Sequence, residues 1–290
     1  MMIDAGALLG RELPRVTSSW DERDVILYHL GVGAGNNAAF GDELHLTYER
    51  QLGTLPTFAS VACAPGLRGF KSVDGLPLQD VVVIHMEHEV RLGAAPIPTA
   101  AAVVHTGNLS DLRPHRLGTL AGFTVDTVLE GSGDLVFQNR ATFLLRGLTI
   151  GTESESESAV ARGRAEIPDR PPEIEVPERL LRQQALLYRL SGDKNPLHVD
   201  AQVSTRAGYE APLLHGLCTY GIACRHASNA GLSGELERIR SFGARFTGPL
   251  FPGQEITTRL WVEPDAVIAA VYRTGHDRPV LIAAAGCSEG

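Results

Sequence analysis

The stretch Tyr188–Asp200, "YRLSGDKNPLHVD", packs two aspartates, a lysine, an asparagine and a histidine around Pro196, directly after an apolar run. Pro196 cannot continue a helix and biases Asn195 toward an extended backbone. Gly192 stops the preceding helix, so Asp193–His198 is expected as a turn between two helices, folded back on itself. Such a turn can bring Asp193 and His198 toward one point. A carboxylate and an imidazole sharing one water form a proton-transfer pair. Asn195, both donor and acceptor, can fix that water's orientation. The same residue types also suit a helix-capping loop, where they serve local hydrogen bonds only.

A second segment, "LLHGLCTYGIACRHASNAG", places His215 and Gly216 where a helix begins. Leu217, Tyr220, Cys224 and Ala227 recur at helical spacing, and Gly231 can end the run. A helix start offers free backbone N–H groups and the positive end of the dipole. Gly216 lets a substrate atom approach without obstruction, so an oxygen gaining negative charge is stabilised there. Tight packing is the other use of a glycine at that position. His215 is expected to orient the helix start or fill space, with a catalytic part as the alternative. Together the two segments describe addition of water to an activated carbonyl compound.

The elements that must position these groups fall into two similar halves. In the second half the helix precedes four strand-like runs, "RIRSFGARFTGPL", "EITTRLWVE", "AVIAAVYRT" and "PVLIAAAGC". Turn signals at Pro252-Gly253, Pro264-Asp265 and Gly275-His276-Asp277 separate them, and strands that close together pair antiparallel. The first half carries four more, "MEHEVRLGAAPI", "AAVVHTGNL", "LAGFTVDTVLE" and "LVFQNRATFLLRG". "EVRLGAAPIP" and "ARFTGPLFPG" repeat one order of strand, Gly, Pro and next strand, a faint duplication. The expected fold is α+β: two copies of an antiparallel sheet wrapped around a helix. The first copy's helix, "FASVACAPGLRGF", is broken by Pro65 and Gly66. Alternating Ser and Glu with several prolines from Gly151 onward read as a surface crossing. The expected units are residues 1–150, a linker over 151–176, and residues 177–290, with a helix starting near Pro177.

Several function classes drop out. The net charge is −8 and no basic stretch stands out, so a nucleic-acid partner is not expected. No apolar run approaches the roughly 20 residues that cross a bilayer, and no secretion signal is visible. The four cysteines are too scattered for a disulfide framework, which points to a reducing cytoplasm. Cys218 and Cys224 read as small core residues. "GVGAG", Gly31–Gly35, follows a strand-like run and lacks the third glycine of a dinucleotide loop, so it reads as a strand end or bulge. His85 and His88 of "HMEHE" would face opposite sides of a strand, which argues against a shared metal.

"YRLSGDKNPLHVD" followed by "AGYEAPLLHGLCTYG" resembles the MaoC-like dehydratase family, and within it the (R)-specific 2-enoyl-CoA hydratases, or hydratase 2. "ILYHLGVGAG", "LTYE" and "TLPTFASV" resemble the N-terminal half of the two-repeat, eukaryotic-type form. The resemblance implies a double hot-dog whose first repeat binds acyl groups without catalysing. It implies syn addition of water across a trans-2-enoyl-CoA, giving a (3R)-3-hydroxyacyl-CoA. Asp193 and His198 then match the water-activating pair, Asn195 completes the site, and the Gly216 N–H matches the donor to the thioester oxygen. Tyr28 and Glu49 match positions prominent in two-repeat hydratases. Glu49 either supports the site from the other repeat or is a structural or surface carboxylate. No metal or redox cofactor is implied; the partner is an acyl-CoA thioester, and a homodimer is expected. The chain departs from the family at Ala201 and Ser204, where Pro and Ala are common, which bears on helix start and packing. A hot-dog thioesterase, a non-catalytic acyl-CoA-binding subunit and a carrier-protein dehydratase are the rival readings. The broken first-repeat helix is expected to leave room for a medium to long or bulky acyl group.

Overall fold

The computed structural model describes residues 2–3, 5–79, 81–150 and 165–288. The first half supplies β1 (Val16–Trp20), α1 (Glu22–Gly31), β2 (Val82–Leu92), β3 (Ala101–His115), β4 (Gly118–Leu129) and β5 (Leu135–Arg146). The second supplies β6 (Ile174–Arg179), α2 (Gln184–Tyr188), α3 (Ala201–Arg206) and α4 (Gly216–His226). It ends with β7 (Ile239–Phe246), β8 (Glu255–Val262), β9 (Ala266–Arg273) and β10 (Pro279–Cys287).

All these strands form one ten-stranded sheet in the order β1-β3-β4-β5-β2-β7-β10-β9-β8-β6. The order reads the same from either edge: each half runs from its first strand at the rim to its second strand at the centre. The duplication hinted at by the Gly-Pro repeats is thus a duplication of topology. The halves join where β2 and β7 pair antiparallel, Val90 opposite Phe242 and Glu89 opposite Gly243. Each half curls round its own helical segment, the double hot-dog expected from the motifs.

Helix α4 is buried on every side from Cys218 to His226. Its small residues permit that depth. A Cβ at Gly221 would stand 2.5 Å from Val32 Cγ1 and 2.6 Å from the Tyr28 hydroxyl, so the first half packs directly on the helix backbone. In the first half the matching helix is broken as expected, into turns at Pro56–Phe58, Ala59–Ala62, Ala64–Leu67 and Arg68–Ser72. Phe58, Leu67 and Phe70 still point into the core.

Four expectations are corrected. Residues before "GVGAG" form helix α1, not a strand; Asp21 caps it and Asp24 completes a capping box. Gly33 and Gly35, both at positive φ, follow the helix end. Pro177 lies inside β6, not at a helix start; the strand occupies the end of the span read as linker, and the helix begins only at Gln184. Because β6 is a sheet edge, a residue without an N–H is tolerated there. Third, residues approaching β6 do not merely cross the surface: Ile167 packs with Trp261 and Tyr272 on the outer face of the sheet, and Trp261 donates to the Arg170 carbonyl at 2.9 Å. Finally, a bulge between His85 and Glu87 shifts the register, so the His85 and His88 rings meet at 5.2 Å instead of facing apart. The Ser/Glu-rich segment itself, 151–164, lies outside the described residues. No helix among the described residues is long and apolar enough to cross a membrane. All four cysteines are free, and Cys218 and Cys224 are core residues.

Candidate active site

Asp193–His198 is the turn the sequence anticipates. Gly192, at φ +126°, ends the helical stretch that follows α2. Asn195 caps the 3-10 turn Pro196–His198, its side-chain oxygen accepting the Leu197 N–H at 3.0 Å. Asp193 in turn accepts the Asn195 N–H at 3.1 Å. Asn195 therefore keeps both amide N–H groups for a ligand, while its oxygen is already engaged by the turn. Asp200 caps α3, whose first residue is Ala201. The Ser204 hydroxyl donates to the carbonyls of Leu197 and Asp200, so the departure at 204 bears on packing behind the turn.

The turn brings Asp193 and His198 together, and it brings them to His215: ligand atoms of all three side chains lie within 4.8 Å of one another. The His198 and His215 rings stack at 3.7 Å. His198 Nδ1–H donates to the Leu213 carbonyl at 3.0 Å, which leaves Nε2 with its lone pair free as a base. Burial lowers the His198 pKa, against the pull of the Leu213 carbonyl and Asp193, so the ring is neutral near pH 7. His215 is buried and donates from Nε2 to the Asp193 carbonyl at 3.2 Å. Burial first, then the neighbouring His198, push its pKa down to about 4. His215 thus ties the start of α4 to the turn.

Gly216 opens α4 immediately after His215 and is exposed. The Cys218 and Thr219 amides are satisfied by the His215 carbonyl; those of Gly216 and Leu217 have no acceptor among the described residues. Two open amides at the positive end of a buried helix, beside a carboxylate–imidazole pair, can stabilise an oxyanion while water is deprotonated. A side chain at 216 would press on Phe246, whose ring carbons lie 3.3 Å from the ideal Cβ position.

The two first-repeat candidates lie elsewhere. Tyr28 is fully buried; its ring is 6.0 Å from Tyr188, which lies 5.0 Å from His215, so Tyr28 reaches the cluster only through Tyr188. Glu49 is exposed on the turn Glu49–Gln51, and its carboxylate makes no bond among the described residues. The most deeply buried first-repeat carboxylate among the described residues is Glu43, and sequence reasoning missed it. Glu43 accepts from Arg225 at 2.8 Å; Arg225 also pairs with Glu178, and His226 Nε2–H donates to Glu178 at 2.6 Å. Burial alone would raise the Glu178 pKa, but the His226 bond and the Arg225 charge outweigh it and hold it at about 2. This network joins the repeats at the far end of α4. A cleft of about 340 Å³ lined by Asn36, Asn37, Pro177, Glu178 and Arg182 opens beside it. It contains none of the paired acid–base groups.

A double hot-dog with an aspartate–histidine turn facing open amides at a helix start is the architecture of a thioester hydratase or dehydratase. Comparison with known proteins agrees on both halves. Residues 164–276 match the MaoC like domain, and residues 18–147 match the MFE-2 hydratase 2 N-terminal domain. The chain is 33% identical to enoyl-CoA hydratase ChsH3 of Mycobacterium tuberculosis, covering 97% of each chain. It is 34% identical to the peroxisomal enoyl-CoA hydratase 2 of Arabidopsis thaliana, covering 94% of this chain and 92% of that one. A crystal structure of a MaoC-like dehydratase from Phytophthora capsici superposes with a TM-score of 0.86 at 26% identity, over 99% of this chain and all of that one. The chain belongs to the two-repeat enoyl-CoA hydratase 2 family, and it is a hydro-lyase.

Proposed function

We propose that the protein hydrates trans-2-enoyl-CoA thioesters to (3R)-3-hydroxyacyl-CoA and catalyses the reverse dehydration. The observation that carries this is the meeting of the Asp193 and His198 side chains with His215 at the start of α4, where the next amide, that of Gly216, has no acceptor among the described residues. Water held between the Asp193 carboxylate and His198 Nε2 passes a proton to His198 Nε2 as its oxygen bonds to the β-carbon, and that proton is the one later returned to the α-carbon. Electron density moves through the α-carbon to the thioester oxygen, which the Gly216 N–H receives. The proton returned to the α-carbon on the same face completes the syn addition. The stabilisation must be greatest when the enolate charge develops, which is where a fixed peptide dipole acts best. The Asn195 amide donates to the water and keeps its lone pair aimed at the substrate.

In this reading Asp193, His198 and Asn195 act on the water, and His215 and Tyr188 hold the pair in register. The reaction balances without a redox carrier and calls for no metal. The first repeat serves as acyl-binding partner, with Tyr28 structural and Glu49 a surface residue. The broken helix around Pro65 and the aromatic side chains near Phe246 favour a medium to long or bulky acyl group. The assembly is a homodimer, and the free cysteines favour the cytoplasm. The test is a profile of hydration rate against acyl length, followed by loss of enoyl absorbance, with the product's stereochemistry determined. Formation of the 3R product across several lengths supports the reading. Release of free coenzyme A, or a 3S product, refutes it.

A further inference from the structure

The two repeats exchange arginines across their junction, and the exchange is unequal. From the second repeat, Arg225 reaches over Gly33, just past the end of α1; its Nη2 lies 3.3 Å from where a Cβ at Gly33 would stand. It is fully buried and held by Glu43 and Glu178. From the first repeat, Arg68 reaches over Gly192, the residue before Asp193; its Nη2 lies 3.4 Å from the ideal Cβ at that position. Arg68 is exposed, and its guanidinium has neither a carboxylate nor a carbonyl partner among the described residues. Each arginine therefore crosses to a glycine following a helical segment of the other repeat. One is neutralised and structural; the other stands open at the turn that carries the acid–base pair.

Two more cations share this rim. Lys194 follows Asp193 and is exposed. Arg189 precedes the turn, and its buried Nε has no hydrogen-bond partner. In a chain of net charge −8 this is a local positive field at the mouth of the site. A coenzyme A thioester carries its phosphates at the end of an arm that spans roughly 15 Å when extended, by ordinary bond and peptide-unit lengths. When the thioester meets Gly216, the phosphates must lie outside the site. An exposed, long and unpinned cation at the mouth of the site can swing outward to meet them, and Arg68 is one.

We infer that Arg68, supplied by the non-catalytic repeat, anchors the phosphate end of the coenzyme A portion of the substrate, with Lys194 and Arg189 on the same rim. This rests on the hydratase reading for the identity of the substrate. It gives the first repeat a binding contribution at the catalytic turn itself, in addition to the acyl group. Gly192 is required for its positive φ, and it leaves the Arg68 guanidinium in van der Waals reach of the turn.

The test compares wild type with Arg68→Ala and Arg68→Lys on three thioesters of one enoyl group: coenzyme A, 3′-dephospho-coenzyme A and pantetheine. Arg68→Ala is expected to raise KM for the coenzyme A thioester about tenfold, the worth of one charge-assisted bond, with kcat within twofold. Arg68→Lys should recover part of the loss. The pantetheine thioester, lacking phosphate, should be unaffected. Sensitivity retained with the dephospho substrate assigns the pyrophosphate; sensitivity lost assigns the 3′-phosphate. An equal KM change on pantetheine, or no change on any substrate, overturns the inference. Calorimetric titration with free coenzyme A repeats the comparison without turnover, so a wild-type protein that binds but does not hydrate would count against the proposed reaction and not against Arg68.

Discussion

Replacing Arg225 with Met removes the one positive group between two buried carboxylates. Glu43 and Arg225 have fully buried side chains and that of Glu178 is 1% exposed, so neither carboxylate can recover its hydration without opening the junction. Leaving a buried charge uncompensated costs about 3–5 kcal/mol. Part of the loss is softened because Gly35 N–H and Asn229 still donate to Glu43, and Asn36, Asn37 and His226 to Glu178. Arg225 also sits in the last turn of α4, where a cation favours the helix dipole. A net loss near 3 kcal/mol in a chain of this size lowers Tm by roughly 10 °C. Thermal unfolding followed by circular dichroism measures this. The triple variant Arg225→Met with Glu43→Gln and Glu178→Gln removes the orphaned charges and should recover at least half of the drop, because the penalty is electrostatic and not one of shape. A single variant melting within 2 °C of wild type, or a triple variant no better than the single, would refute the reasoning. Hydration at 25 °C should survive in the single variant, since Arg225 ends the helix that Gly216 begins.

Acid should destabilise the protein in two stages. Burial lowers the pKa values of His29 and His88 from 6.5 to about 4, so their contribution is complete above pH 6.5 and is lost as pH falls through 4. Full protonation costs about 3 kcal/mol for each such shift. The contribution of Glu178, held at about 2, is present above its unfolded value of 4.5 and fades only below that, so denaturant midpoints should begin to fall near pH 6 and continue below 4. Gly221→Val should cost at least 1–3 kcal/mol, read as a lower urea midpoint, because its Cβ would overlap Val32 and Tyr28 well inside van der Waals contact. The spacing of Asp193, His198 and His215 would also suit a divalent ion. Dialysis against a chelator should leave the hydration rate unchanged if the three act as acid, base and support.

What was legible in the sequence was local. Eight strands, the break at Pro65, the start of α4 and the Asp193–His198 turn all announce themselves through alternation, turn residues or a proline-glycine pair within a few positions. The two edge strands did not. β6 contains Pro177 beside charged residues, a composition that equally suits a helix start, and only its place at the sheet rim makes it a strand. The bulge that turns His85 toward His88 is a property of pairing with β5, and strict alternation cannot anticipate it. The Glu43–Arg225–Glu178 network was invisible for a different reason: its members lie 182 and 47 positions apart, and a lone charged residue carries no sign of whether the fold will bury it. Arg68 meets Gly192 across the same junction and was hidden in the same way. Motifs exposed the chemistry; the contacts between repeats had to come from the fold.

The most direct test of the central claim is the rate of water addition to a trans-2-enoyl-CoA by wild type, Asp193→Asn and His198→Gln, with circular dichroism of each. The account predicts a (3R)-3-hydroxyacyl-CoA product from wild type and a fall of about 10²–10⁴-fold in each variant, the worth of a positioned acid–base group, with the fold unchanged. Either variant working at close to the wild-type rate would contradict it.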